Sequence, residues 1–471
     1  MSGRHVAVVG GGIAGVCAAA WLQAHGERVT LFEKEAYLGG CAATFYHKGR
    51  YFNAGATTFA ANGAGLPVYE FVRSLGVEVG AIESSPALEV RWADQKITCS
   101  QDEERFLKEL QAAMPAWGHP LFWGLVRMLN KLFYRYLPTI RYTRSRLSLL
   151  SFWRLGLAAG WAALIPASWA LRLFYPRMSR VYRQFLDAQV RIVAQTTTSE
   201  VSLLTAALAL GYTKLPTGLI MGGMGLALER LAASVSDLAL HVKVLSIEKA
   251  ANRFTIISSR GREDFDRVIC ALPLAVAIDV LQGEAKHWVR RYYHDVDQGA
   301  FTLYLTLAPE IRLSHHTQIL MPATPEGAIS DAIFVSASDP DDPRMSPGGS
   351  QSVTISIHTR PSFWEGLSKE RYRAAKEKLT QTLLEHFCAT LALPKEKILT
   401  YVAATPKTWQ RYTGRASVGG FPLYYRYPFW KMMPNDSPIP GLYFVGESVF
   451  AGQGWLGIII GVANLAKVYD V

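Results

Sequence analysis

The stretch His5-Val6-Ala7-Val8-Val9-Gly10-Gly11-Gly12-Ile13-Ala14-Gly15, running into an alanine-rich apolar segment, decides the fold. Its apolar run reads as a buried strand, the glycines as a tight turn, and the segment behind them as a helix. In such a unit Gly10 permits the turn, Gly12 lets the backbone approach a pyrophosphate, and Gly15 lets the helix pack close to the strand. The free N–H groups at Ile13 and Ala14, at the positive end of the helix dipole, then face the phosphates. A second strand, Arg28 to Glu33, follows at once and ends on Glu33, about 20 residues past the turn, where a carboxylate accepts hydrogen bonds from a ribose. A lone G-x-G-x-x-G is weak evidence, but strand, glycine turn, helix, strand and acid in this order predict dinucleotide binding.

Around that unit, 471 residues, half of them apolar, exceed a single hydrophobic core and predict two or three domains. The five cysteines, Cys17, Cys41, Cys99, Cys270 and Cys388, form no C-x-x-C pair and are odd in number, which argues against a disulfide framework or a zinc site and for a reducing cytoplasm. Arg4 and His5 precede an apolar run, but the glycine pattern accounts for that run, and no cleaved leader is expected.

The net charge of +11 has a definite location. Between Pro120 and Arg191 stand Arg127, Lys131, Arg135, Arg141, Arg144, Arg146, Arg154, Arg172, Arg177, Arg180, Arg183 and Arg191 against the single acid Asp187, so the remainder of the chain is neutral. Such an excess calls for an anionic partner. Leu121 to Leu137 is amphipathic, with Arg127, Lys131 and Arg135 on one stripe, and Leu155 to Leu171 is uncharged between Arg154 and Arg172. Trp123, Trp153, Trp161 and Trp169 lie in the same region, as interfacial belts favour. Pro166 interrupts the second run, and a single crossing would separate the two ends of the chain that should share one cofactor. The favoured expectation is monotopic attachment of 120–191 to an anionic membrane surface, with apolar faces in the acyl boundary and arginines on head groups. Internal helices lining an apolar pocket, or a true span, are the alternatives. Nucleic acid is disfavoured because the cations alternate with bulky aliphatics and no recognition motif accompanies them.

Further along, Leu88–Trp92 and Lys96–Thr98 read as a hairpin, Pro216 to Gly225 as the opening of a helix, and His241–Ile247 as a strand. Strand-like runs at Phe301–Leu307, Gln318–Met321, Ala332–Ser336 and Ser352–His358 suggest a second sheet, and Ser368 to Leu391 a solvated helix of mixed charge. The adjacent His315-His316 is expected on a surface loop. The last motif, Leu442-Tyr443-Phe444-Val445-Gly446-Glu447 and then Gly452-Gln453-Gly454-Trp455-Leu456-Gly457, is a strand, an acid at its tip, a glycine loop and another helix N-terminus. Glu447 there is placed to hold a ribityl hydroxyl, and two glycine loops at opposite ends of the chain suit one long cofactor better than NAD.

Together, Gly10-x-Gly12-x-x-Gly15 with Glu33, Gly39-Gly40, Phe52-Asn53-Ala54-Gly55, Gly222-Gly223-Met224-Gly225, Thr405-Pro406 with Arg411-Tyr412-Thr413-Gly414-Arg415, and the terminal Gly446-Glu447 with Gly452-x-Gly454-x-x-Gly457 carry a resemblance over nearly the whole chain. The sequence resembles the phytoene desaturase, carotenoid isomerase and retinol saturase family of FAD-dependent proteins, within the wider flavin amine oxidase group. It departs from the pattern where Asn53 replaces the frequent Asp, where Ala56, Ala451 and Leu456 replace prolines, and where Glu447 replaces the frequent Asp.

The resemblance implies an α/β fold: a Rossmann-type FAD-binding domain (1–85, 216–290 and 435–471), an inserted α+β substrate domain (86–100 and 291–434), and a helical, basic, membrane-associating subdomain (101–215). It implies noncovalent FAD, since the terminal loop has no cysteine, held by Gly10, Gly12, Ile13, Ala14, Gly15, Glu33, Lys34, Gly39, Gly40, Thr57, Val244, Gly446, Glu447, Gly454, Trp455, Leu456 and Gly457. Arg415 and Trp455 fall near the substrate; no acid or base is assigned and no metal ligands are expected. The implied chemistry is hydride transfer between flavin N5 and an allylic carbon of a hydrophobic polyene or isoprenoid, giving or removing a conjugated double bond. A non-redox cis/trans isomerase using reduced FAD, an oxidase of small amines, and a flavin-binding protein without catalysis are the competing readings; the electron acceptor is unassigned. The expected location is cytoplasmic, peripheral to a membrane.

Overall fold

The computed structural model describes residues 3–469, so the outermost ends of the predicted segments 1–85 and 435–471 lie outside the described residues. Five parallel strands form one sheet in the order Asp237–Ala239, Arg28–Phe32, His5–Val9, Arg267–Cys270, Leu442–Phe444. The strand that comes first in the chain lies at the centre, and the order reverses between it and Arg267–Cys270, which opens a crevice at the carboxyl ends of these two strands. Both faces of the sheet are covered. The helices Ile13–Ala24, Met224–Ala232 and Gly454–Val468 pack on one, and an antiparallel meander (Val244–Ala250, Arg253–Ser258, Gly261–Phe265) with the helix Leu274–Val280 packs on the other. Burial on both faces explains why the strands read as continuous apolar runs.

A second, mostly antiparallel sheet has seven strands in the order Ile398–Ala404, Gly299–Leu307, Ser352–Thr359, Ala332–Ala337, His316–Leu320, Leu88–Trp92, Gln95–Cys99. The predicted hairpin is its far edge, and the four predicted strands are its centre. One face is a conventional core against the helix Lys369–Thr390, which buries Leu379, Leu383, Leu384 and Phe387 and leaves its charged side to solvent. The other face looks toward the first sheet.

The helices Glu103–Ala113, His119–Tyr136, Trp153–Leu164, Ala167–Phe174, Arg180–Ala194 and Leu203–Gly211 form a third body, whose core is shared with Leu88, Val90, Ile97 and Leu320 of the second sheet. Side chains of Asp102, Ser179 and Ser202 cap three of them by accepting from Arg105, Tyr182 and Thr205 N–H. The uncharged run 155–171 breaks in two because Ile165, preceding Pro166, is held extended. Continuous with the first half, Arg146–Leu164 is long and apolar enough by length and composition to cross a membrane, and little of it is buried.

Three expectations are corrected. The segment 216–225 first forms a buried strand, Thr217–Ile220, between Phe59–Ala60 and Ala81–Glu83, and the helix begins only at Met224 after two glycines with positive φ. The strand expected over 241–247 runs instead from Val244 to Ala250. His315-His316 is not a surface loop: His316 is 1% exposed inside a central strand, and His315 bonds Ser84 Oγ and Asp339. A pair of histidines in a polar stretch resembles a loop only until the strand's polar side is found to face inward.

Candidate active site

The chain leaves the central strand at Gly10, with φ of 110°, and enters the helix at Ile13. A Cβ on Gly15 would lie 1.8 Å from the Gly10 carbonyl oxygen, so helix and turn can touch only through a glycine. Gly12 differs: it caps the helix with an ordinary φ, no side chain satisfies the first N–H groups, and a Cβ there would meet nothing within 4 Å. That free space is where a phosphate can be received by the Ile13 and Ala14 amides. At the tip of the next strand, Glu33 is largely buried and accepts from Gly11 N (2.7 Å) and Glu35 N (2.9 Å). Burial pushes its carboxyl above the usual range, opposed by those two donors. A carboxylate has about four acceptor sites, so two remain for ribose hydroxyls.

From the other end of the chain, Gly446 (φ 143°) and Glu447 follow the edge strand, and the helix Gly454–Val468 presents a second N-terminus without a side-chain cap. Glu447 is ion-paired with Arg415, whose Nη2 also lies 3.5 Å from Cys41 Sγ. Arg415 thereby ties the terminal loop to the Gly39-Gly40-Cys41 turn.

These parts surround one cavity of about 900 Å³. Gly10, Gly12, Ile13, Ala14, Glu33, Lys34, Gly39, Gly40, Thr57, Val244, Arg415, Gly446, Glu447, Gly454, Trp455, Leu456 and Gly457 all line it; Gly15 alone of the predicted residues stands behind the wall. Lys34 pairs with Glu35 at 3.0 Å. Thr57 is anchored on Ser336 Oγ at 2.7 Å, which in turn bonds His316 Nδ1, and burial pushes that imidazole down to about 4. Arg415 Nε, Trp409 Nε1 and Trp455 Nε1 are buried N–H donors without a partner among the described residues, and all three side chains line the cavity. Unfilled helix N-termini, a space free of side chains at Gly12 and orphaned donors are what a phosphate- and carbonyl-rich cofactor would satisfy, so the residues present fit a flavin dinucleotide.

Beyond the glycine loops the cavity continues between apolar helical walls, including Phe133, Leu137, Ile140, Phe152, Leu155, Leu204 and Leu208. Its opposite wall was missed in the sequence. Thr302, Ser356, Phe334 and Gln318 stand in register across four strands, all facing the cavity with His358 and Arg191 nearby. The signal was present as the alternation Ser352, Thr354, Ser356, His358 against Val353, Ile355, Ile357, which ordinarily means polar side to solvent.

The basic region divides. Arg127, Lys131 and Arg135 are exposed on one helix, but Arg127 is bound to Glu103, and Trp123 is buried with its indole donating to Tyr182 OH, so neither is a free interfacial group. The exposed apolar residues lie further on: Leu147, Leu150, Trp153, Leu157 (80% exposed), Trp161, Leu164, Trp169 and Leu173. Beneath them Leu155, Ala159 and Ala162 are buried in the helical core.

A family model described as flavin containing amine oxidoreductase matches residues 13–462. Prolycopene isomerase 2 of an Oncidium hybrid cultivar, a chloroplastic protein, is 24% identical over 96% of this chain and 81% of its own length. A 4,4'-diapophytoene desaturase (4,4'-diapolycopene-forming) of Methylomonas is 22% identical over 96% of this chain and 92% of its own. The solved structure of a putrescine oxidase bound to putrescine superposes with a TM-score of 0.64 at 16% identity, covering 99% of this chain and 98% of that one.

Proposed function

The chain belongs to the flavin containing amine oxidoreductase family, and on that premise we propose that this flavoenzyme binds FAD noncovalently and desaturates or saturates carbon–carbon bonds of a hydrophobic polyene or isoprenoid. The carrying observation is the single cavity whose glycine-rich end matches a dinucleotide and whose other arm is walled by apolar helices. Bound at the glycine loops, the flavin would supply a two-electron hydride acceptor or donor at one fixed position. The chain's residues do the rest. Ile13 and Ala14 amides hold phosphate, Glu33 holds a ribose, and Glu447, with Arg415 beside it, reaches the ribityl side. The uncapped helix N-terminus at Gly454 would offer N–H donors to the cofactor's polar ring edge. The apolar walls orient an extended chain and keep water out. We assign 1–85, 216–290 and 435–471 to cofactor binding, 86–100 and 291–434 to the substrate wall, and 101–215 to a helical membrane-associating part.

Attachment would be monotopic, on the cytoplasmic face of an anionic membrane. The outward leucines and tryptophans of 147–173 with Arg146, Arg154 and Arg172 support this. The inner side of the same helices is packed into the protein, which argues against their leaving it to span a bilayer. Because a relative is a prolycopene isomerase, cis/trans isomerisation with reduced flavin is the second reading. The test is an anaerobic absorption spectrum of the holoenzyme with liposomes containing phytoene-type or partly desaturated carotenoids, followed by pigment chromatography. Flavin bleaching with a red-shifted, more conjugated product is expected. Oxidised flavin that stays inert while pre-reduced enzyme changes only the cis/trans composition would select isomerisation. Turnover of putrescine-type amines with no response to polyenes would overturn both.

A further inference from the structure

The polyene arm of the cavity contains a charge that a pure hydrocarbon could not use. Arg191 lies on the helix Arg180–Ala194, whose last turns line the cavity with Ala188, Ile192 and Val193, and the capping residue Gln195 follows them. Its side chain has no hydrogen-bond or ion-pair partner among the described residues. The fields of Asp187, Asp331 and Glu200 reach it, but Asp187 is turned to Thr198 N (2.8 Å) and Oγ1 (2.6 Å), and Glu200 accepts from Thr196 Oγ1. Partial burial pushes the Arg191 guanidinium below its ordinary range, and the same desolvation, with the Arg191 charge acting in the same direction, pushes the nearby His358 imidazole down to about 3. The sheet wall adds the buried Thr302 Oγ1, without a hydrogen-bond partner in good geometry among the described residues, and the Gln318 amide, which accepts from Gln189.

An unpaired, partly buried guanidinium is costly unless a ligand answers it. Its planar fork matches a carboxylate, and one cation, already partly offset by the fields of Asp187, Asp331 and Glu200, answers a monoanion at most and not a diphosphate, which would need several cations. Resting on the polyene reading above, we propose that the substrate is an apolar polyene chain ending in a carboxylate, and that Arg191 binds that carboxylate against the polar wall of the second sheet. Arg191 is then a specificity residue: it selects an oxygenated acid over the parent hydrocarbon and fixes which stretch of the chain lies beside the flavin.

The experiment titrates the holoenzyme with all-trans-retinoic acid, methyl retinoate, phytoene and geranylgeranyl diphosphate, reading quenching of tryptophan fluorescence, since Trp409, Trp430 and Trp455 line the cavity. Loss of a charge-assisted pair corresponds to about a 10- to 100-fold change in affinity. The acid is expected to bind at least about tenfold tighter than the ester, Arg191→Gln to abolish that preference with ester binding unchanged, and Arg191→Lys to keep part of it. Equal binding of acid and ester by the unaltered protein, or tightest binding of the diphosphate, would overturn the inference and leave the polyene site standing. A fall in flavin content in Arg191→Gln would mean that the arginine serves the cofactor, and would also overturn it. Failure of every probe to bind would overturn the polyene reading, and this inference with it.

Discussion

Substituting alanine at Gly12 and at Gly15 separates holding the cofactor from holding the fold. At Gly12 the added Cβ meets nothing within 4 Å, and the residue already has φ of −73°. The apoprotein should therefore lose only about 1 kcal/mol, the amount by which alanine is the poorer helix cap. The same methyl group fills the space in front of the Ile13 and Ala14 amides, and overpacking of a close contact costs about 1–3 kcal/mol. Flavin affinity should fall about 5- to 150-fold. At Gly15 the Cβ would stand 1.8 Å from Gly10 O and 3.0 Å from Gly10 C, both backbone atoms, with Ala271 Cβ at 3.2 Å. No side chain can yield there, so helix and strand must separate, and stability should fall with flavin binding. The assays are flavin absorbance per protein after purification, flavin affinity by fluorescence titration, and the melting temperature of flavin-stripped protein. Gly12→Ala protein with wild-type flavin affinity would refute placing the pyrophosphate at this turn. Gly15→Ala protein with an unchanged apoprotein melting temperature would refute the close helix–strand contact.

Glu33→Gln should lower flavin affinity about 10- to 100-fold, because an amide cannot accept from Gly11 N, Glu35 N and the ribose together; unchanged flavin content would remove the ribose assignment. His316 is buried with its pKa lowered to about 4, so the folded state resists its protonation. The unfolded chain binds that proton from about 6.5 downward, so stability present above pH 6.5 should be lost as pH falls towards 4, up to about 3 kcal/mol at 1.36 per unit. Denaturant melts of His316→Gln across that window should show a shallower acid decline, and an equally steep one would contradict the burial. Replacing Leu150 and Leu157 with Glu removes two apolar anchors of about 1.5–3 kcal/mol each and should cut partitioning onto anionic liposomes by more than about 100-fold without lowering flavin content. Undiminished flotation would remove this face from the membrane.

Much of the cofactor half is legible in the sequence because its constraints are local. The turn at Gly10, the helix start at Ile13 and the acid at Glu33 are set by backbone sterics and by distances along one strand–turn–helix unit, and residues 446–457 repeat that logic at the other end of the chain. Period-2 alternation likewise marks Ser352–Thr359 as a strand, and Pro166 marks the break in the apolar run, since each is a property of neighbouring residues.

Alternation has two sides, however, and the chain alone does not say which of them meets water. Only the packing of the second sheet against the helical body turns Thr302, Ser356, Gln318 and His358 inward, takes His316 out of a supposed loop and sets Arg191 opposite them. Tertiary contacts also pair Arg415 with Glu447 and Arg127 with Glu103, and bury Trp123 while leaving Trp153 and Trp169 outside. The sequence therefore determined the elements and the chemistry of the glycine loops, which depend on sterics a few residues long. Tertiary structure decided which side of each element faces the cavity, the core or the surface, because that depends on long-range packing between segments far apart in the chain.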